Sequence, residues 1–496
     1  MCAIAGCFGS RDKQVIKQML GVMSQGGATT CSIYDNDYMV WGHAGSANGL
    51  ELDDQQPILT ADRSKAVMAS GEIYNFQAIR DRFLQRHTFQ GHCEAEVILA
   101  LYGQRGPDGV RDLDGMFAFA LFDRRRSVFM LARDPIGIKP LYYGFRNGTI
   151  YFTSDREAMK ETEVDEIQEF PPGYYYTSTD GFIRYYQLPK VDQRPLRDKK
   201  SIAWRIRKRL TGAVAKRVVS DAGQPMGAFC SGGLNSSLVA ALAARQVDEL
   251  HTFTVGMRDE QGNEADDLRA ARLVADHIGS THHEWPFTLN DYHEALYRVI
   301  HGLGTYDPAL IRSAVPCYLA ARLASEHGNV VLSGEGADEL FGGYHYMWHI
   351  PAARLNEEGR RCLATLHNVN LQRTDRMALR CSLEQRIPFL DKEMIALAMK
   401  IPADLKIKEE SDGLKTGKWI LRQAFSGRGL LPEETLWRGK VPLTGGSACE
   451  LAGVRLADQQ MDEEDLARLQ RDYPAVTLAS KESAFYFTIF QKTQSA

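Results

Sequence analysis

The sequence predicts a strand-rich α+β domain over residues 1–190, followed over 200–496 by an α/β domain built on a parallel sheet. Three observations lead there. A chain of 496 residues exceeds what one compact core ordinarily holds, so two domains are the default. The first 190 residues carry short apolar runs rich in aromatic and β-branched residues, separated by turn signals. Beyond them, apolar strands alternate with stretches of helical spacing, which is the pattern of a parallel sheet covered by helices.

In chain order, the first domain offers strands at "KAVMASGEIY", "MFAFALFD", "SVFMLAR", "TIYFTS" and "GYYYTSTDGFIRYYQ", with helices at Lys13 to Ser24 and Ala95 to Gln104. "LPKVDQRPLRDKK", Leu188 to Lys200, is polar and contains proline, so it reads as a linker. The second domain then reads as helix Ser201 to Ser220, strand "MGAFC", helix Ser236 to Arg245, strand "HTFTVGM", helix Asp266 to Ile278, helix Val315 to His327 and strand "NVVLS". There is no internal repeat. In a sheet of this kind, ligands lie beyond the carboxyl ends of the strands.

Composition narrows the function classes. A formal charge of −4 argues against nucleic acid or an anionic membrane as the main partner, since both select clustered Lys and Arg. Nine cysteines at irregular spacings, with no CxxC pair, support neither a disulfide framework nor a zinc site, and fit a reducing cytoplasm. No run of about 18 apolar residues occurs, and "MCAIAGCFGS" lacks the basic and apolar segments of an export signal.

"SGGLNSS" follows a short apolar strand and opens a helix. Gly232 and Gly233 let backbone N–H groups approach an anion, Ser231, Ser236 and Ser237 add hydroxyls, and the helix N-terminus adds positive potential. This is a pyrophosphate cradle. Without a Walker-type lysine it suits ATP donating AMP better than transfer of a γ-phosphate. A helix cap with glycines for packing is the plainer alternative. A second strand-to-glycine turn, "VVLSGEGADELFGGY", carries Gly334, Glu335, Asp338 and Glu339. Acids beside an anion cradle make sense with a bridging cation such as Mg²⁺, for which Asp338 is the candidate ligand.

At these residues the chain resembles the glutamine-dependent asparagine synthetases. "MCAIAG", "GEIYNFQAIR", "LDGMFAFALFD", "ARDPIGIKPLYYG", "YDPALIRSAVPCYLAAR", "VLSGEGADELFGGY", "IPFLD" and "KWILRQAF" fall in that family's order and spacing across nearly the whole chain. The resemblance implies an N-terminal nucleophile domain of the class II glutamine amidotransferase type over 1–190. After it, over 200–496, would come an ATP pyrophosphatase domain of the adenine nucleotide alpha hydrolase-like fold. It implies ATP and Mg²⁺ as cofactors and activation of a carboxylate as an acyl adenylate. It also assigns Val255 and Gly256 to adenine, Ser231 to Ser237 to pyrophosphate and Asp338 to the metal. Glu335 would take the nucleophile's proton or position the acceptor, and Lys440 would meet the developing charge.

The departures are specific. Asn235 stands where the family has an aspartate on magnesium, which keeps the shape and one acceptor oxygen but removes a charge. Cys2, once Met1 is removed, would be the family's glutaminase nucleophile, with its own α-amino group as base. Around it, Gln25 to Thr29 replace a His-Arg-Gly-Pro-Asp stretch, and Gly45 stands where an arginine clamps the glutamine carboxylate. Ser70-Gly71-Glu72 replaces Asn-Gly-Glu of the oxyanion hole, and Glu94 replaces an aspartate that binds the α-amino group. Gln385 and "KVPLTGGSA", Lys440 to Ala448, also depart from the usual pattern near the acceptor.

The first reading is therefore an AMP-forming amide ligase acting on a small amino-acid-like carboxylate, with an amine not supplied by glutamine. That amine would be free ammonia, or one within the substrate, as in the related β-lactam synthetases; against a close match to those, Glu335 is the asparagine synthetase letter. The alternatives are a glutamine-hydrolysing asparagine synthetase and a catalytically dead relative. A homodimer is an assembly the sequence leaves open.

Overall fold

A computed structural model describes residues 2–24, 30–45, 56–83, 87–89, 91, 93–192, 195–218, 225–409 and 413–494. They belong to two compact units, Met1–Leu188 and Pro189–Ala496.

The first unit holds two six-stranded antiparallel sheets. One runs Gln168–Glu169, Tyr142–Arg146, Thr149–Thr153, Cys2–Phe8, Met39–Gly45, Thr30–Asp35. The other runs Gly181–Arg184, Tyr174–Thr177, Val128–Arg133, Gly115–Asp123, Lys65–Ile73, Ile58–Leu59. Ile4, Trp41 and Phe152 of the first sheet share a core with Met68, Ala118 and Leu131 of the second. The opposite faces are also covered: Ala3 and Ala5 pack with helix Lys13–Ser24, and Val67 and Phe119 with helix Glu96–Arg105. Successive side chains point to opposite faces, so a strand buried on both sides reads as an unbroken apolar run. That is why "MFAFALFD" is legible as a strand and why the unit has the helix–sheet–sheet–helix layering of an N-terminal nucleophile fold.

The strand Cys2–Phe8 is not among the predicted elements. Apart from Ile4 and Phe8 its residues are small, and at Gly6 this is required, since a Cβ there would stand 2.6 Å from the Phe152 ring.

The second unit is a five-stranded parallel sheet in the order Thr281–Phe287, Leu250–Met257, Met226–Phe229, Val330–Leu332, Glu384–Arg386. By chain position this is 3-2-1-4-5, so the order reverses between Met226–Phe229 and Val330–Leu332, the place where such sheets open a ligand crevice. Helix Asp266–Ile278 buries Leu268, Ala271, Val274 and Ala275, a helical stripe, and ends at Gly279 with φ +68°. The helix expected from Val315 begins at Pro308, because the Asp307 carboxylate accepts from Leu310 N and Pro308 fits the first turn; Pro316 lies inside it. Strand Glu384–Arg386 is polar yet buried, its Arg386 Nε donating to Glu384 at 2.6 Å. Among the described residues, no helix is long and apolar enough to cross a membrane.

Candidate active site

Two turns leave adjacent strand tips at the point of reversal. The first, Cys230 to Gly233, feeds helix Leu234–Ala244. Gly232 has φ +68°, and a Cβ there would run into the Ala270 backbone. Ser236 Oγ receives Ser231 N at 3.2 Å and donates to Gly233 O at 3.2 Å, which shapes the loop. Ser237 Oγ is fully buried at the helix start, where the weakly hydrogen-bonding Cys230 thiol is its neighbour. A hydroxyl so weakly partnered at a helix N-terminus is what an oxyanion would satisfy.

The second turn, Ser333 to Gly336, leads into helix Ala337–Phe341. The turns are packed back to back: a Cβ on Gly334 would sit 2.6 Å from Asn235 C and Ser236 N. This contact brings Asn235 to the acids. Asn235 Nδ2 donates to Asp338 Oδ2 at 2.9 Å, while Lys418 Nζ donates to Asn235 Oδ1 at 2.8 Å. Lys418 and Lys440 both reach Asp338 Oδ1, at 2.9 and 2.8 Å. Burial works against ionised Asp338, yet the two ammonium groups hold its carboxyl well below the usual range. Burial pulls Lys418 down to about 8, against the pull of Asp338.

A polar chain continues from there. Tyr344 OH donates to Glu339 Oε1, and Lys440 Nζ lies 5.5 Å from the Tyr344 ring centre. Burial, reinforced by the charge on Asp338, pushes Glu339 up to about 7. Asn370 Nδ2 donates to Tyr344 OH at 2.9 Å and stands 3.4 Å from Glu335 Oε2. Arg373 pairs with the other Glu335 oxygen at 3.2 Å. A concavity of about 370 Å³, open to solvent, is lined by Lys418, Lys440, Arg422, Trp348 and Trp437. Cations beside aromatic rings make this a place for an anionic, polar substrate.

Of the predicted residues, Ser231, Gly232, Gly233, Asn235, Ser236, Ser237, Gly334, Glu335, Asp338 and Lys440 thus gather around one crevice. Val255 and Gly256 lie at the carboxyl end of the neighbouring strand, where a Cβ on Gly256 would stand 2.8 Å from Ala265 and Leu268. Lys418, Tyr344, Asn370 and Arg373 had no role in the sequence reading. Lys418 opens "KWILRQAF" and sits at φ +56°, a conformation no sequence pattern announces.

In the first unit, Gly45 faces Cys2 across the strand pair. Ser70 is buried, and Gly71 has φ +109° where its strand meets Phe117. Glu94 Oε2 accepts from Ile73 N at 2.9 Å, so this carboxylate caps a strand end beside Glu72. Gln25 to Thr29 and the Cys2 side chain lie outside the described residues.

Comparison with known proteins adds the following. The family described as asparagine synthase matches residues 205–362 and 348–479, and the glutamine amidotransferase domain family matches 1–179. Asparagine synthetase B (glutamine-hydrolyzing) of Escherichia coli K12 is 35% identical over 99% of this chain and 91% of its own. Asparagine synthetase (glutamine-hydrolyzing) 2 of Arabidopsis thaliana is 36% identical over 88% of this chain and 77% of its own. Among solved structures, the glutamine phosphoribosylpyrophosphate amidotransferase of B. subtilis shares 16% identity over 57% of this chain and 65% of that one, at a TM-score of 0.33, too low to carry an argument.

Proposed function

Because the chain belongs to the asparagine synthetase family, we propose a division of labour among its residues. The protein is an ATP-dependent carbon–nitrogen ligase with a glutamine amidotransferase domain. In our reading a substrate carboxylate oxygen attacks the α-phosphorus of ATP and pyrophosphate leaves with the electrons of the broken P–O bond. An amine lone pair then attacks the acyl carbon, AMP departs with the C–O pair, and the amine gives up a proton.

Ser231, Gly232, Gly233, Ser236 and Ser237 hold the pyrophosphate, Gly334 leaves the room they need, and Val255 and Gly256 border the adenine. Lys440 and Lys418 meet the charge that grows on the phosphate and on the tetrahedral carbon. Glu335, its two oxygens fixed by Arg373 and Asn370, positions the amine or takes its proton. Asp338 and Asn235 carry oxygen ligands of the kind a hard cation takes, held in this structure by Lys418, Lys440 and the Asn235 amide, and once released from these partners they would hold Mg²⁺. When bound, Mg²⁺ would neutralise the leaving pyrophosphate. The observation that carries the reading is the meeting of both turns with Lys418, Lys440 and Asp338 at the reversal of strand order.

Full-length likeness to glutamine-hydrolysing asparagine synthetases favours glutamine as nitrogen source and aspartate as acceptor. That alternative is better supported than the first reading of the sequence, in which glutamine is not the donor. That first reading keeps one specific ground: Gly45 offers no cationic fork for the glutamine carboxylate, Ser70 replaces an oxyanion donor, and Glu94 is one methylene longer. Ammonium, or a substrate amine closing a ring, would then serve. Intact Glu335, Asp338 and Lys440 weigh against a dead protein. Glutamate release from glutamine by the purified chain separates the two. Robust release lost in Cys2→Ala supports glutamine use, and release no greater than that of Cys2→Ala supports another amine.

A further inference from the structure

At the end of the second unit's sheet away from the nucleotide turns, three imidazoles meet. His251 is the second residue of strand Leu250–Met257, and His283 the third of strand Thr281–Phe287. His327 follows helix Pro308–Ser325, just before strand Val330–Leu332. The parallel register sets His251 beside Thr281 and Phe253 beside His283, so residues two apart on neighbouring strands share one face. On that face His251 Nδ1 and His283 Nε2 are 2.9 Å apart. The His283 and His327 rings stack at 3.7 Å between centres. One ring nitrogen from each of the three lies within 4.8 Å of the others. Glu249, on the exposed approach, places Oε1 3.3 Å from His251 Nε2. His282 points to the other face, where its Nδ1 meets Thr252 Oγ1 at 2.9 Å, and it takes no part.

Three imidazole nitrogens form a donor set for Zn²⁺, Co²⁺, Ni²⁺ or Cu²⁺ rather than for Mg²⁺, which selects oxygen. A tetrahedral ion with Zn–N bonds of the usual length holds its nitrogens roughly 3.3 Å apart. The His251–His283 spacing of 2.9 Å is close to that value and no spacing exceeds 4.8 Å, so shifts of at most about 1.5 Å close the site. We propose that His251, His283 and His327 bind one borderline divalent transition metal, Zn²⁺ by preference, with water as the fourth ligand and Glu249 holding the outer nitrogen of His251. The ion would tie two strand entrances to the end of a helix. Its role is structural, because the strands run from here to the nucleotide turns at their far ends. The inference stands independently of the nitrogen source and of the acid used.

The test uses the full chain freed of metal with a chelator and titrated with Co²⁺. One equivalent is expected to give a visible d–d band, and Zn²⁺ to bleach it. His327→Ala and His327→Gln are expected to lose the band and bind Zn²⁺ at least about tenfold more weakly. Their pyrophosphate exchange with Mg²⁺ alone should stay unchanged. No band in the unaltered protein, or an equal band in both variants, overturns the proposal. The first of these outcomes does not depend on whether either variant folds.

Discussion

Replacing Asn235 with aspartate would set a second carboxylate where Nδ2 now donates to Asp338 Oδ2 at 2.9 Å. The change removes a hydrogen bond to a charged group, about 1.5–3 kcal/mol, and adds repulsion that Lys418 only partly offsets. A divalent cation relieves that repulsion. Asn235→Asp should therefore melt lower than the unaltered protein without Mg²⁺, regain the difference with it, and need about tenfold less Mg²⁺ for half-maximal pyrophosphate exchange. Melts and exchange across a Mg²⁺ series check this; identical curves would contradict it. Glu339 yields a pH prediction. Folded, it keeps its proton up to about 7, whereas in the unfolded chain it ionises near 4.5. The unfolded state thus gives up the proton first, and the fold loses stability as pH rises from about 4.5 to about 7, on the order of 3 kcal/mol in all. Glu339→Gln lacks this loss, so its melting temperature should gain on the unaltered protein between pH 5 and pH 8. An equal gap at both pH values would refute the assignment. The sequence exposed Asn235, Glu335 and Asp338 because they sit in strand-to-glycine turns. It hid Lys418, Asn370 and Arg373, which arrive from distant segments with no local pattern to mark them.

The two turns act as one element, and Gly334 is the contact between them. Alanine there would press its methyl group against the Asn235 and Ser236 backbone at 2.6 Å. Neither backbone can yield without opening the cradle, so a cost of about 1–3 kcal/mol falls on the ligand-bound geometry. Gly334→Ala should weaken binding of a non-hydrolysable ATP analogue at least about tenfold, measured by calorimetry. Gly212→Ala is the control, since a Cβ at Gly212 meets nothing within 4 Å; equal affinity in both variants would show that the turns do not need their close approach. Elements were legible where pattern and burial agree. Helix Asp266–Ile278 is read to the residue from its stripe and its glycine stop. Helix Pro308–Ser325 was read seven residues short at its start, because Pro316 looks like a boundary and the Asp307 cap is a single residue. Strands Cys2–Phe8 and Glu384–Arg386 do not stand out in the sequence, since one is mostly small residues and the other wholly polar, each set by its neighbours rather than by propensity.

At the scale of the whole molecule, the predicted ligase residues all belong to Pro189–Ala496 and the glutamine-site residues to Met1–Leu188. The synthetic chemistry should then survive loss of the first unit's nucleophile. Cys2→Ala is expected to leave ammonium-driven amide formation within about twofold of the unaltered protein while abolishing any glutamine-driven part; a parallel fall in both rates, read by product formation, would contradict the separation. The change from a strand-rich α+β unit to a parallel-sheet unit was legible in the pattern near residue 190, and the place of the crevice in the rule that ligands lie beyond the carboxyl ends of parallel strands. The nitrogen source was not, because it depends on how a few altered side chains around Cys2 treat one ligand, and substitution alone does not give their geometry. The most direct measurement is exchange of labelled pyrophosphate into ATP by the purified chain with Mg²⁺ and no glutamine, offering aspartate and other small amino-acid-like acids one at a time. The account predicts exchange that requires a particular acid and falls at least about a hundredfold in Lys440→Ala. Absence of exchange with every acid, in protein that still binds ATP, would contradict it.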